Sequence, residues 1–151
     1  MELSEKNIIS ILMENERKVA HLYEIYAELL PKHKNLWTRL SHEEIEHAET
    51  ISEAEKISDG NGKLFSTDKY LRGILKYVSD FLDEEIRKVK KQKLTQGEAL
   101  ETALRVERSV VENISFEIWQ PKEKDVLRIF KRLNKETEGH IKTLMGEMKK
   151  L

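Results

Sequence analysis

The residues of this chain that are able to do chemistry recur at matched places. Glu16, the pair Glu44 and His47, Glu107, and His140 each interrupt a run of apolar positions spaced alternately three and four apart. That spacing is the buried seam of a packed helix. A carboxylate on such a seam is costly to bury unpaired and tends to take up a proton instead. Several carboxylates facing one another cost more, unless a cation lies among them. A pair of divalent metal ions answers that problem, held by glutamate oxygens and histidine nitrogens. Glu44 and His47 lie three apart and so share one helix face.

Taken singly, each residue has a plainer reading. A glutamate in a seam is more often an exposed residue read out of phase. Glu-x-x-His arises often by chance on a charged helix, and Glu43, Glu44, Glu46 and Glu49 crowd this one. A lone core histidine such as His140 is more often hydrogen-bonded than metallated. The joint pattern is what points to a metal site. Tyr23 lies two turns after Glu16 on the same face, so its hydroxyl reaches towards the polar layer as a hydrogen-bond donor. His21, His33 and His42 fall on outward or turn positions and read as surface residues.

Four main helices must position these groups. The first spans residues 4–30, with Ile9, Leu12, Val19, Tyr23, Tyr26 and Leu30 on its seam around Glu16. Pro31 ends it, and residues 31–35 form the turn. The second spans residues 36–57, with Trp37, Leu40, Glu44, His47, Ile51 and Ala54 on its seam. The loop at 58–62, with two glycines, stops it. A shorter helix over 67–91 follows, carrying Leu71, Ile74, Leu75, Val78, Phe81 and Leu82.

The third main helix starts at Thr95, which forms a capping box with Glu98. Its seam is Leu100, Ala103, Glu107, Val110, Ile114 and Ile118. Beyond Pro121 the fourth reads Val126, Phe130, Leu133, Thr137, His140, Leu144 and Met148. Measured back from the Pro31 turn, Glu16 lies about as deep as Glu44 and His47, ~20–25 Å at ~1.5 Å per residue. The Pro121 turn gives Glu107 and His140 a comparable depth.

The helices also repeat. Residues 37–43 align with residues 130–136, and His47 then falls on His140, 93 positions later. Glu16-Arg17 falls on Glu107-Arg108 at an offset of 91. Two copies of one helix hairpin can bury their stripes against each other as an all-α, antiparallel four-helix bundle. The 151 residues then form one domain: hairpin one over 4–57, a crossover over 58–94 with its short extra helix, and hairpin two over 95–150.

Composition narrows the chemistry. With no cysteine there are no disulfides, thiolate zinc sites, iron–sulfur clusters or rubredoxin-type iron centres. A net charge of −1 with both signs interleaved offers no footprint for nucleic acid. No run of 18 apolar residues offers a membrane span, and the opening MELSEKNIIS lacks the form of a signal peptide. The expected location is cytoplasmic.

On these residues the chain resembles the rubrerythrin-like branch of the ferritin-like, di-iron carboxylate superfamily. That constellation takes one Glu from each of two helices and Glu-x-x-His from each of the other two. The resemblance assigns Glu16 and Glu107 to the single-Glu roles, Glu44 with His47 to the first Glu-x-x-His, and His140 to the second histidine. It makes Glu44 a bridging ligand and puts the two histidines on separate metals. A Tyr two turns past the first Glu, as Tyr23 is here, also recurs in these proteins.

Three departures stand out. Thr137 occupies the position of the second motif's glutamate, with Glu136 one residue earlier as the nearest replacement. Val110 stands where classical rubrerythrins have an extra carboxylate. The C-terminal rubredoxin domain of those proteins is expected to be lacking. The resemblance thus implies a non-haem iron oxidoreductase that reduces peroxide or dioxygen, or oxidises ferrous iron, served by an external electron-transfer protein. The cofactor would be two iron ions, or one held tightly and one weakly. Manganese and zinc also suit these ligands. A homodimer is expected from the family and from spare apolar residues such as Phe116 and Trp119. The alternative is a non-catalytic helical bundle with a degenerate metal site, acting as a structural or interaction module.

Overall fold

The computed structural model describes the backbone of residues 5–57, 69–113 and 124–151, and the side chains of residues 9–57, 72–109 and 124–151. All regular secondary structure among the described residues is helical, in a bundle-like arrangement. The helices are α1 (Glu5–Leu29), α2 (Lys34–Ile57), α3 (Lys69–Val89), α4 (Gln96–Asn113) and α5 (Lys124–Lys149). The glycine loop at 58–62, the Pro121 turn, the side chains of Leu71 and Val110, and Ile114, Phe116, Ile118 and Trp119 lie outside the described residues.

One feature differs from the sequence expectation: the first turn is tighter. Leu30 leaves the helix at φ −123°, ψ 69°, and Pro31–His33 form a single 3-10 turn that runs straight into α2 at Lys34. Proline tolerates this place because its missing N–H would lack a partner there anyway. The crossover helix expected over 67–91 is present as α3, described over Lys69–Val89. Its charged second half stays helical because Glu84 pairs with Arg87, and Glu85 with Lys88, on the outer side. Leu75, Val78, Leu82 and Val89 are buried on the inner side.

The capping box at the start of α4 forms as the sequence suggests. The Thr95 amide donates to Glu98 Oε1 at 3.2 Å, and the Glu98 amide donates to Thr95 Oγ1 at 3.2 Å. Two backbone donors that no helical turn could satisfy thereby find acceptors.

Cross-helix pairs give the register. Against α1, Tyr23 meets Trp37, Ala20 O accepts from Ser41 Oγ, and Glu16 faces His47. Numbers that rise along one helix therefore fall along the other. Between α1 and α3 they rise together: Asn15 donates to Leu75 O, and Lys18 reaches Ser79 and Asp83. Between α2 and α5, His47 meets Glu136 while Glu43 meets His140.

The interior has three storeys. One apolar cluster includes Val19, Leu22, Tyr23, Tyr26, Trp37, Leu40, Leu82, Leu100 and Leu144. A second contains Ile9, Leu12, Ile51, Ala54, Leu75, Val126, Phe130 and Leu133. Burying each large apolar side chain contributes roughly 1.5–3 kcal/mol, so these clusters hold the helices together. Along α1, α2 and α5 the polar seam residues fall between the two. Among the described residues, no helix is long and apolar enough to cross a membrane.

Candidate metal centre

The middle storey gathers the seam residues singled out in the sequence. Glu44, His47, Glu107 and His140 are buried, and the Glu16 side chain is 14% exposed. Two groups have the spacing to hold a metal ion: Glu16 with Glu44 and His47, and Glu44 with Glu107 and His140. Within each group the potential ligand atoms all lie within 4.8 Å of one another. Glu44 belongs to both.

The histidines present the same atom to this layer. His47 Nδ1 is 3.4 Å from Glu44 Oε2 and 3.8 Å from Glu16 Oε2. His140 Nδ1 is 3.0 Å from Glu44 Oε1 and 3.3 Å from Glu107 Oε1. The rings stack with centroids 5.3 Å apart and planes 21° from parallel. Their Nε2 atoms reach across the α2–α5 boundary. His47 Nε2 is 2.8 Å from Glu136 Oε2, and His140 Nε2 is 3.1 Å from Glu43 Oε2. A carboxylate on the outer nitrogen holds a proton there, so Nδ1 is the nitrogen that would offer its lone pair inward once its own proton is lost.

Glu136, the nearest replacement for the missing glutamate, is therefore placed on the outer nitrogen of His47, with its side chain 47% exposed. Glu43 in the mirror-related role was not foreseen from sequence. The signal was available, since the repeat lays Glu43 over Glu136 and each stands four residues before a histidine. Thr137 is buried, and its hydroxyl donates to Leu133 O at 2.9 Å within its own helix. Tyr23 donates its hydroxyl to Glu107 Oε1 at 2.8 Å from the adjoining apolar cluster. His21 and His42 are exposed and His33 is half-buried, all outside the layer.

Electrostatics show how the layer settles when protons are its only cations. Burial, followed by the facing Glu107 and Glu16 carboxylates, pushes Glu44 well above the ordinary carboxylate range. Burial would raise Glu16 too, but its hydrogen bonds to Glu44 and His47 and the two imidazoliums hold it below its usual value. Burial works against a charged His47, yet Glu16 and Glu44 raise it to about 11. Burial likewise opposes a charged His140, while Glu107 and Glu44 raise it to about 10. Tyr23 is pushed well up by burial and by the Glu107 and Glu44 carboxylates, so it stays a neutral donor. At neutral pH the acids thus share their burden with protons on Glu44 and both imidazoles.

This arrangement fits a divalent cation. The protonated groups, Glu44 and the two imidazoles, are ones that would be ligands, and the donors are oxygen and imidazole nitrogen, the set suited to iron, manganese or zinc. Comparison with family models, with curated proteins and with solved structures gives no match.

Proposed function

We propose that this chain is a ferritin-like, rubrerythrin-like antiparallel four-helix bundle, with α3 as its crossover. We further propose that it works as a non-haem iron oxidoreductase, reducing peroxide or dioxygen or oxidising ferrous iron. The single observation that carries the reading is the pair of Glu/His groups sharing Glu44 inside the bundle. The opposed register of α1 with α2 and of α2 with α5 supports the architecture.

Glu16, Glu44, His47, Glu107 and His140 would hold the metal, and iron so bound supplies one-electron redox chemistry towards peroxide or dioxygen. The protein's part is to arrange donors and move protons. Glu136 and Glu43 fix the histidine tautomers through Nε2, so that Nδ1 serves the layer. Tyr23 orients Glu107 by donating to Oε1. Glu44 and the imidazoles hold protons that loading must release, so affinity rises with pH. The flanking apolar clusters lower the local dielectric and strengthen each charge interaction. Electrons would come from an external carrier protein, and a second copy of the chain is a further expected partner.

Thr137 favours a second reading, a structural or interaction bundle with a degenerate site. Its hydroxyl is spent on Leu133 O and adds no charge to the layer.

One experiment separates the two. The protein is purified without added metal and assayed for bound metal, then loaded anaerobically with ferrous iron and mixed with peroxide or dioxygen. The proposal expects substoichiometric or greater native metal, and protein-dependent iron oxidation that Glu44→Gln abolishes. A chain that binds no iron at any pH between neutral and alkaline belongs to the second reading.

A further inference from the structure

The two stacked imidazoles that close the polar layer also form the floor of a cleft. It holds about 450 Å³ between α2 and α5 and opens to solvent. Glu43, Glu46 and Glu136 line it, against one guanidinium, Arg39. The cross-helix pairs that span its floor each have one half in water and one in the core. The Glu136 and Glu43 side chains are 47% and 41% exposed, while those of His47 and His140 are 4% and 7% exposed.

Apolar clusters lie above and below the layer and offer a cation no carboxylate or imidazole on the way in, only the Tyr23 and Tyr26 hydroxyls and the Trp37 indole, whose N–H is a donor. Stripping water from a divalent ion without replacing its ligands is prohibitive. The cleft supplies replacements in sequence: Glu46 in the lining, Glu43 and Glu136 at the floor, then the imidazoles and the inner carboxylates. Gly139 keeps the passage wide. A Cβ built there meets nothing within 4 Å, and the residue lines the cleft directly.

We infer that divalent cations load the buried layer through this α2–α5 cleft, with Glu43 and Glu136 as the swinging carboxylates at its floor. The inference rests on the metal-binding reading above and adds the route to it. Acidic lining concentrates cations at the mouth. To let an ion pass, Glu43 must release its hydrogen bond to His140, and Glu136 its hydrogen bond to His47 and, on its other oxygen, a looser 3.8 Å ion pair with Arg132.

The test is stopped-flow loading of the full chain with Co²⁺, read by its ligand-field absorption. Gly139→Phe plugs the cleft. Gly146→Phe is the control, because Gly146 is equally open on the same helix but is not part of the cleft lining. Phenylalanine is the better helix former at both positions, so both variants should fold. Circular dichroism and melting check this. The expected result is several-fold slower loading in Gly139→Phe alone, at unchanged final amplitude. Glu46→Gln should also load more slowly at low salt, with the difference closing as salt rises. Equal rates in wild type and both glycine variants would overturn the route. A reduced amplitude in Gly139→Phe would also overturn it, by making the cleft part of the site. If wild type develops no cobalt bands at any pH, the metal-binding reading fails as well.

Discussion

Thr137→Glu tests the layer at the point where it departs from its own repeat. Glu16, Glu44 and Glu107 supply three negative charges in the two ligand groups. Two divalent cations would leave a net charge of +1 inside the bundle. A fourth carboxylate at this buried position would cancel it. At ~4 Å and an effective dielectric of about 20, one such charge pair is worth about 4 kcal/mol. That converts to an upper bound of roughly a thousandfold in the affinity of the second ion. The metal-free protein should move the other way. Extra volume at this buried position costs about 1–3 kcal/mol, and a further acid beside Glu44 raises the carboxyl pKa values again.

Thr137→Gln separates volume from charge, being as large as Glu but neutral. The assay is an anaerobic ferrous or cobalt titration of all three proteins, followed by melting with and without metal. Thr137→Glu should melt lower than wild type when metal-free and recover or exceed it when loaded, because a ligand of the folded state alone stabilises that state. Thr137→Gln should show the loss without the recovery. Equal stoichiometry and affinity across the three proteins would refute the idea that Thr137 marks a lost ligand.

Two other outcomes follow from the same layer. His47 and His140 have folded pKa values of about 11 and about 10, above the ordinary 6.5. Their contribution is therefore complete below about pH 6.5 and is lost as pH rises towards 10–11. The raised Glu44 contributes fully only below its ordinary 4.5 and its contribution is lost as pH rises from there, while the lowered Glu16 contributes above its ordinary 4.5 and is lost in acid. The melting temperature of metal-free protein should thus peak near about pH 4.5 and fall from there into the alkaline range, more steeply once the histidine contribution also declines above about 6.5. A profile that rises from pH 7 to 10 would contradict these protonation states. Tyr23→Phe removes the donor to Glu107 and should cost roughly 1.5–3 kcal/mol in denaturant unfolding; a loss below about 0.5 kcal/mol would show that Glu107 does not depend on it.

Much of this arrangement was legible in the three–four spacing. That periodicity identifies α1, α2 and α5 and places Glu16, Glu44, His47, Glu107 and His140 in one storey, because depth along a helix is a simple multiple of residue number. The capping box at Thr95 was equally plain, since its two hydrogen bonds are local. What escaped the sequence depends on neighbours rather than on period. The charged second half of α3 reads as helical, but the pairing of its acidic and basic residues along the outer side, with Leu82 and Val89 buried, is not legible in the sequence. Glu43 reads as one of several solvated acids until α5 brings His140 against it. Glu136 reads as a stand-in for the missing ligand until the α2–α5 register gives it to His47 instead. Leu30 and Pro31 show the same limit, as the proline marks the turn but not that α2 resumes within three residues.

The most direct test of the central claim is anomalous diffraction from crystals of the full chain grown with ferrous iron or manganese. The account predicts metal density in the middle storey, one peak bounded by Glu16, Glu44 and His47 and a second, with lower occupancy, bounded by Glu44, Glu107 and His140. Glu44 should touch both, and Nδ1 should be the ligating atom of each histidine. An empty storey with both imidazoles still paired to carboxylates, or metal bound only at surface acids, would contradict it.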